Sequence, residues 1–273
     1  MLLENVDRLL KSPAKQRGRD FGIMLKCFDD LDYNVEWRVI NAAQYGGAQR
    51  RRRVFIFAYK RTTNWNKEKD IFKEGFFSKT FPIENSLNIK STKLEDNIGD
   101  ISDKFSFNFK KAGYMVDGEI FTSDVIEIEE PPIPMRDIAE SNVDEHYYIT
   151  DEKMPKWVYL KGSKRIPKVA KNGYEYIYSE GPVGFPDDLD KPGRTMLTSE
   201  GSVSRTSHAI EDPGTGRIRI ITPVEAERLQ GFDDNWTEGM TERMRYFVMG
   251  NALVVPMITK MAQTLSQIIE AEE

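Results

Sequence analysis

A run of six consecutive apolar residues, Val54 to Tyr59, constrains the fold more than any other feature of this chain. It follows directly on four arginines, and a continuous apolar run of this length predicts a strand that is covered on both faces. Three further elements are predicted before it, namely a strand tail over residues 2–5, a helix over 20–31 and a strand over 35–39. Strand, helix, strand and strand in this order favour part of an α/β sheet.

From Lys60 to about Arg205, apolar residues no longer recur at helix or strand spacing, and Pro and Gly residues interrupt the stretch. This stretch predicts a separate, irregular, mostly β or loop domain. Regular helices return after Gly216, because Thr222-Pro223-Val224-Glu225 has the pattern of a capping box with proline at the first helical position. A second helix is predicted after Gly250-Asn251. We therefore predict three segments, over residues 1–60, 61–215 and 216–273.

Charge and cysteine content exclude several classes of protein. A net charge of −5 argues against a globally basic nucleic-acid binder but leaves room for a local basic groove. One cysteine and two distant histidines exclude a disulfide framework and make a metal site improbable, so we predict no metal. No apolar run is long enough to span a membrane, and the start is unlike a signal peptide. We expect a cytoplasmic protein with no membrane partner.

Glu4 and Asn5 place a carboxylate and an amide at the carboxyl end of a strand, the rim where open α/β sheets bind ligands. Such a glutamate can hold the N–H of a heterocycle, or donate a proton if burial raises its pKa. The alternative is a glutamate at the end of a strand that caps the following helix. The three residues Glu4-Asn5-Val6 leave both interpretations open.

The arginine run that enters the apolar strand permits two interpretations. Strand alternation sends Arg51 and Arg53 to one side of the backbone and Arg50 and Arg52 to the other. One side could enter a pocket and pair with a carboxylate such as Glu4, while the other faces a DNA backbone. The run could instead be a solvated basic edge that protects a strand from aggregation.

A hydroxyl-rich segment runs from Arg194 to Arg205, with an arginine at each end and a flexible Gly201. Its chemistry suits contacts with phosphates and grooves, although a hairpin without function would have the same composition. Cys27 is predicted to be a small core residue, because it lies among apolar residues at helical spacing. His146 and His208 have no serine or cysteine partner at a suggestive spacing and are predicted to be structural or exposed.

Taken in order, these motifs resemble the C-terminal half of a DNA (cytosine-5)-methyltransferase. LLENV is similar to the family's Glu-Asn-Val motif, and NAAQYGGAQRRRRVFIFA to its Gln-x-Arg-x-Arg motif and the following strand. RTMLT resembles an element of the target recognition domain, with Met196 in place of the usual branched aliphatic residue. RIITPVEAERLQGF and GNALVVPMI resemble the last two motifs of the family. The middle of the chain matches by position alone.

The resemblance implies a Rossmann-like methyltransferase sheet, here partial, with a mostly β target recognition domain. In the family a cysteine thiolate adds to C6 of a flipped cytosine, and S-adenosylmethionine gives its methyl group to C5. Glu4 would hold and protonate the ring at N3, and Asn5 would shape the same pocket. Arg53 would contact the cytosine O2 and steady Glu4, while Arg51 braces nearby.

The resemblance also implies further contacts along the chain. Asn251 and Ala252 match positions that line the cofactor site, whereas Glu225 and Arg228 would be structural partners. Together with the arginine run and the hydroxyl-rich segment, it gives a predicted set of contacts with double-stranded DNA: Gln49, Arg50, Arg52, Arg194, Thr195 and Arg205.

The sequence departs from the family where the nucleophile is concerned. Only three residues precede Glu4, the chain has no Pro-Cys dipeptide, and the Gly-rich cofactor loop is missing. We therefore expect a C-terminal portion or subunit that is inactive alone and needs the missing N-terminal half as partner. The alternative is a non-catalytic DNA-binding module derived from such an enzyme. Exposed apolar surface at the sheet edge and under the last helix is expected to favour self-association.

Overall fold

The structure, a computed structural model, describes residues 1–65 and 70–272. In these residues the strands are β1 (Leu2–Val6), β2 (Tyr33–Asn41), β3 (Arg52–Lys60), β4 (Ile83–Lys93), β5 (Ala112–Val116), β6 (Glu119–Glu127), β7 (Lys164–Val169), β8 (Glu175–Glu180), β9 (Ala209–Glu211) and β10 (Ile218–Ile220). The helices are α1 (Arg19–Asp30), α2 (Ile71–Glu74), α3 (Phe76–Thr80), α4 (Ile98–Lys104), α5 (Met135–Ile138), α6 (Met154–Lys161), α7 (Pro223–Gln230), α8 (Glu242–Asn251) and α9 (Val255–Glu270).

The chain divides into two compact units. Unit 1 comprises Met1–Tyr45, Arg51–Pro131 and Pro256–Glu273, and unit 2 comprises Gly46–Arg50 and Pro132–Val255. The predicted segments over residues 1–60, 61–215 and 216–273 do not coincide with these units, because each unit is assembled from stretches that are distant in the sequence.

Unit 1 is built on a six-stranded sheet in the order β1-β3-β2-β5-β6-β4. Every neighbouring pair is antiparallel, so β1 and β2 run parallel to each other on either side of β3. The middle of β3 is buried from Val54 to Ala58, which confirms the strand predicted from the apolar run. The predicted helix over residues 20–31 is confirmed as α1, and the chain has an α/β fold with a mainly antiparallel sheet.

The sheet continues through β4, β5 and β6, which the sequence pattern assigns to a separate domain. β5 joins at the edge of β2, where Gly113 lies opposite Trp37. A Cβ atom at position 113 would lie 2.1 Å from Cζ2 of Trp37, so only glycine admits the indole against this strand. Unit 1 therefore includes the whole stretch Arg51–Pro131 and does not end at residue 60.

The last helix differs from the prediction of an exposed apolar underside. Met257, Met261 and Ile268 of α9 are buried, and Oγ1 of Thr80 donates a hydrogen bond to Oγ1 of Thr264 at 2.9 Å. The apolar stripe of α9 is therefore buried, and Thr264 of the same helix contacts Thr80 within unit 1.

Cys27 is exposed, which corrects its prediction as a core residue. On α1 the core positions include Phe21 and Leu25, and Cys27 lies on roughly the opposite side of the helix because it is two residues from Leu25. The neighbouring Lys26 is the more buried side chain, with its Nζ 2.6 Å from Oδ1 of Asp30.

Unit 2 contains two separate hairpins, β7–β8 and β9–β10, and the helices α5 to α8. The capping box that begins α7 is confirmed: the Thr222 side chain accepts from Glu225 N, and the Glu225 side chain accepts from Thr222 N. The helix ends at Gly231 in the left-handed conformation, with φ of 80°.

No single helix among the described residues is long and apolar enough to cross a membrane, although α8 and α9 together, as a bent pair, meet that requirement by length and composition alone.

Candidate functional site

Glu4 and Arg53 form an ion pair in unit 1, with Nε of Arg53 2.7 Å from Oε1 of Glu4. In the antiparallel register Glu4 lies opposite Phe55 and Val6 lies opposite Arg53. The charged pair is therefore a diagonal contact on one face of neighbouring strands. The side chains keep 25% and 17% of their surface exposed, which leaves the carboxylate accessible to a ligand.

Arg51 is buried next to this pair, with only 5% of its surface exposed. Burial lowers the pKa of its guanidinium to about 10, helped by the positive charge of Arg53 and opposed by the carboxylate of Glu4. Arg51 still carries its charge at neutral pH. Two cations therefore surround one carboxylate, and this site attracts electron-rich groups such as a carbonyl oxygen.

Asn5 lies on the opposite face of β1 from Glu4, which corrects the prediction that both shape one pocket. Its side chain is exposed, and its Oδ1 accepts a hydrogen bond from the backbone N–H of Val6 at 2.8 Å. Strand alternation places these adjacent residues on different sides, so the structure does not bring their side chains together.

Arg52 on β3 is exposed, as the alternation predicts for the side away from Glu4, and Arg50 in unit 2 is exposed as well. Nη2 of Arg52 lies 3.1 Å from Oδ2 of Asp7 in unit 1. In unit 2 the backbone of Arg50 is fixed: its N–H donates to Gly193 O at 2.8 Å, and its carbonyl accepts from Oγ1 of Thr195 at 2.6 Å. Both guanidinium groups remain at the surface, where they can meet phosphates, while the Thr195 hydroxyl is used within the chain.

Gln49 is fully buried in unit 2, so the prediction of a DNA contact for this residue is wrong. Its Nε2 donates to the carbonyl of Leu229 at 2.8 Å, and its Oε1 accepts from the backbone N–H of Met196 at 3.2 Å. Both ends of the amide therefore bridge backbone segments that are far apart in the sequence.

Arg194 and Arg205 also make contacts inside unit 2, but their side chains keep 20% and 21% of their surface exposed, so their role as DNA contacts stays a prediction. Arg194 forms a bidentate ion pair with Asp187, with Nε 2.7 Å from Oδ1 and Nη2 3.0 Å from Oδ2. It also donates hydrogen bonds to the carbonyls of Thr206 and Ser207. Burial opposes the charge of Asp187, but the hydrogen bonds from Arg194 outweigh it and hold the pKa of this carboxyl below its usual value. Arg205 donates to backbone carbonyls at the base of the β7–β8 hairpin.

Comparison with known proteins identifies the family. The family model for C-5 cytosine-specific DNA methylases matches residues 1–267. The chain belongs to this family. The match runs through the middle of the chain as well as through the motifs at its two ends, so it is wider than the resemblance in residues 1–60 and the last eighty or so residues predicts.

Two curated methylases illustrate the relationship. The Type II methyltransferase M.Sau3AI of Staphylococcus aureus is 51% identical over 278 residues, which cover 98% of this chain and 67% of that protein. The Type II methyltransferase M.SsoII of Shigella sonnei is 24% identical, over 99% of this chain and 53% of that protein. The chain thus spans between about half and two thirds of the length of these relatives.

Solved structures agree with the fold. A methyltransferase of Entamoeba histolytica matches with a TM-score of 0.54 and 14% identity, over 98% of this chain and 62% of that one. The Dnmt2 methyltransferase of S. pombe matches with a TM-score of 0.53 and 16% identity, over 97% of this chain and 64% of that one.

Methylases of this family use S-adenosylmethionine, and the residues predicted to line its site are Asn251 and Ala252. Both lie at the C-terminal end of α8, where the exposed Asn251 side chain donates to the carbonyl of Phe247 at 3.3 Å. One amide, already bonded to its own helix, is too small a donor set for a cofactor of this size. These two residues by themselves therefore do not fit S-adenosylmethionine.

Sequence reasoning missed the buried charge cluster around Arg219 in unit 2. Its guanidinium lies 2.7 Å from both Asp212 and Glu225, and all three side chains are fully enclosed. Burial opposes the charge, but the hydrogen bonds and charges of Glu225 and Asp212 outweigh it and raise the pKa of Arg219 above its usual range. Arg228 contacts Asp234 in the same unit, so both arginines of this methylase motif serve the fold.

Metal chemistry has no visible site in the described part of the chain. Among residues 1–65 and 70–272, no group of three or more His, Cys, Asp or Glu side chains lies close enough together to hold a metal ion.

Proposed function

We propose that this chain supplies the cytosine-holding and DNA-recognition part of a DNA (cytosine-5)-methyltransferase. The observation that carries the proposal is the Glu4–Arg53 ion pair beside the buried Arg51. Family membership and the Type II relatives support the same reading, and they make double-stranded DNA the expected partner.

In this proposal the target cytosine leaves the duplex and its Watson–Crick edge meets Glu4. Glu4 bonds to the ring at N3 and provides the proton that this nitrogen gains as the ring is activated. Arg53 fixes the carboxylate from one side and donates to the cytosine O2. The buried charge of Arg51 stabilises negative charge that develops on that oxygen.

The nucleophile has to come from another source. The only cysteine, Cys27, follows Lys26 and is exposed on α1, and no Pro-Cys dipeptide occurs in the sequence. We therefore propose that the chain transfers no methyl group alone and acts together with a polypeptide segment that carries the Pro-Cys and the Gly-rich loop. In the family S-adenosylmethionine supplies the methyl group, and the donors that bind it would have to come largely from that second segment, because Asn251 and Ala252 do not fit it by themselves.

Complementation tests this proposal. The chain is mixed with the remaining part of the Staphylococcus aureus relative, and incorporation of labelled methyl groups into DNA is measured. We expect activity only in the mixture, and a loss of about 100-fold or more for Glu4→Gln, which keeps the shape but not the acid. Glu84→Gln, an exposed glutamate on β4, is the matched control. Near-normal turnover of Glu4→Gln would remove this residue from the mechanism.

A second candidate is a DNA-binding module without catalysis, and the lack of a Pro-Cys dipeptide in the sequence favours it. It predicts that the chain alone binds duplex DNA with a steep dependence on salt concentration. DNA binding without methylation in any mixture would support this second candidate over the first.

A further inference from the structure

The β7–β8 hairpin is a narrow two-stranded ribbon that forms its own sheet in unit 2. Its register runs from Lys164 opposite Glu180 to Val169 opposite Glu175. The turn is closed by a hydrogen bond from Ala170 N to Tyr174 O at 2.8 Å. Strands of six residues extend for about 20 Å, and a two-stranded ribbon fits the major groove of B-DNA.

One face of the ribbon is uncovered. Paired positions share a face, so Arg165 with Ser179, Pro167 with Ile177, and Val169 with Glu175 form one side. All six are exposed, and Val169 and Ile177 keep 66% and 59% of their surface in contact with solvent. An isolated hairpin is marginally stable in water, and exposed apolar side chains on one indicate a surface that a ligand covers.

The charge of the ribbon is opposite to that of the whole chain. Residues 164–180, which form the two strands and their turn, contain four Lys or Arg residues and two Glu residues, whereas the chain has a net charge of −5. Glu180 is balanced within the fold, with Lys164 at 3.8 Å and Arg205 at 3.6 Å. Arg165 and Lys171 are exposed and form no ion pair with any residue that the structure describes. This local excess of positive charge suits a polyanion.

The base of the ribbon is held firmly. The guanidinium of Arg205 donates to the carbonyls of Leu160 and Gly162, at 2.9 and 3.0 Å, and also to the carbonyl of Gly181. These carbonyls lie just before β7 and just after β8, so one side chain ties both strands together. A projecting element that is fixed in this way loses little conformational entropy on binding.

We infer that the β7–β8 ribbon enters a groove of the target DNA, with Arg165 on its uncovered face and Lys171 at its tip as the contacting residues. The inference rests on the proposed function. Cations combined with the apolar Val169 and Ile177 match a groove that offers phosphates, guanine acceptors and thymine methyl groups. Arg205 is a positioning residue for this contact.

The test is DNA binding by the full chain, measured by fluorescence anisotropy on a randomised duplex across a range of salt concentrations. We expect Arg165→Ala/Lys171→Ala to bind about 10-fold or more weakly at low salt, with a salt slope that is smaller by about two. Lys90→Ala/Lys93→Ala removes the same charge from exposed positions on β4 and should bind like the unchanged chain.

Each outcome separates this inference from the proposed function. If the unchanged chain binds duplex DNA and the ribbon variant matches the β4 control, the ribbon inference is wrong and the proposed function stands. If the unchanged chain binds no duplex DNA at low salt, the ribbon inference is overturned, whereas the proposed function is decided by methyl transfer in the complementation mixture. Circular dichroism of the two double variants verifies that each is folded.

DNA binding by the variant Arg205→Lys tests the inference independently. We expect Arg205→Lys to keep most of the salt slope, because the charge remains, but to bind more weakly as the ribbon base loosens. Unchanged affinity in Arg205→Lys together with unchanged affinity in Arg165→Ala/Lys171→Ala would place the DNA contact elsewhere.

Discussion

The guanidinium of Arg219 is divided between two carboxylates in a fully enclosed part of unit 2. It contacts Asp212 through Nε and Glu225 through both terminal nitrogens, and Nη2 also donates to Glu140 O at 3.0 Å. Burying charges is costly, and it is tolerated here because each carboxylate has a cation and further hydrogen bonds. Removing the cation alone would leave two negative charges without compensation.

We predict that Arg219→Met lowers the free energy of unfolding by about 3 to 5 kcal/mol, since it leaves Asp212 and Glu225 buried and unpaired. Chemical denaturation followed by circular dichroism measures this change. Arg217→Met is the matched control, because its ion pair with Glu145 is exposed and should contribute little. Similar losses in both variants would contradict the argument from burial.

At the scale of single elements, the start of α7 depends on one hydroxyl. The Thr222 side chain accepts from Glu225 N at 3.1 Å, which satisfies a backbone donor that the first turn leaves without a partner. We predict that Thr222→Ala lowers the free energy of unfolding by about 1 to 2 kcal/mol. Thr222→Ser should retain most of the stabilisation, because it keeps the capping hydroxyl. Thermal unfolding measures both, and equal losses would show that the hydroxyl does not act as a cap.

Some secondary-structure elements could be predicted from local sequence patterns, and others could not. The capping box of α7 and the strand β3 are local patterns, so residues close together in the sequence were enough to predict them. The attachment of β5 to β2 was not predictable, because it depends on Gly113 meeting Trp37 from a distant part of the chain. The loss of hydrophobic periodicity after Lys60 therefore does not mark the start of a separate structural unit.

At the scale of the whole molecule, unit 2 exposes several large apolar side chains within a short stretch of sequence: Trp236, Met240, Met244 and Phe247. Met244 and Phe247 line one groove with Thr198 and Thr241. Surfaces of this kind promote association, and this location differs from the underside of α9, which is covered.

We therefore predict that the chain has an apparent mass above 31.5 kDa in light scattering, rising with protein concentration. The association should persist at high ionic strength, because apolar contacts are not screened by salt. A mass of 31.5 kDa at every concentration would contradict this prediction.

Local sequence patterns were enough to predict the strands and the helix α1 of the first sixty residues, the cap of α7, and the opposite sides of β3 on which Arg52 and Arg53 lie. Their roles in binding cytosine and DNA remain predictions. The contacts that Gln49, Arg194 and Arg205 make within unit 2 could be recognised only in the folded structure. Gln49 bonds to Leu229, which lies 180 residues away, and spacing along a chain does not reveal such a partner. A polar residue is free for a ligand only when the fold has not already used its hydrogen-bonding groups.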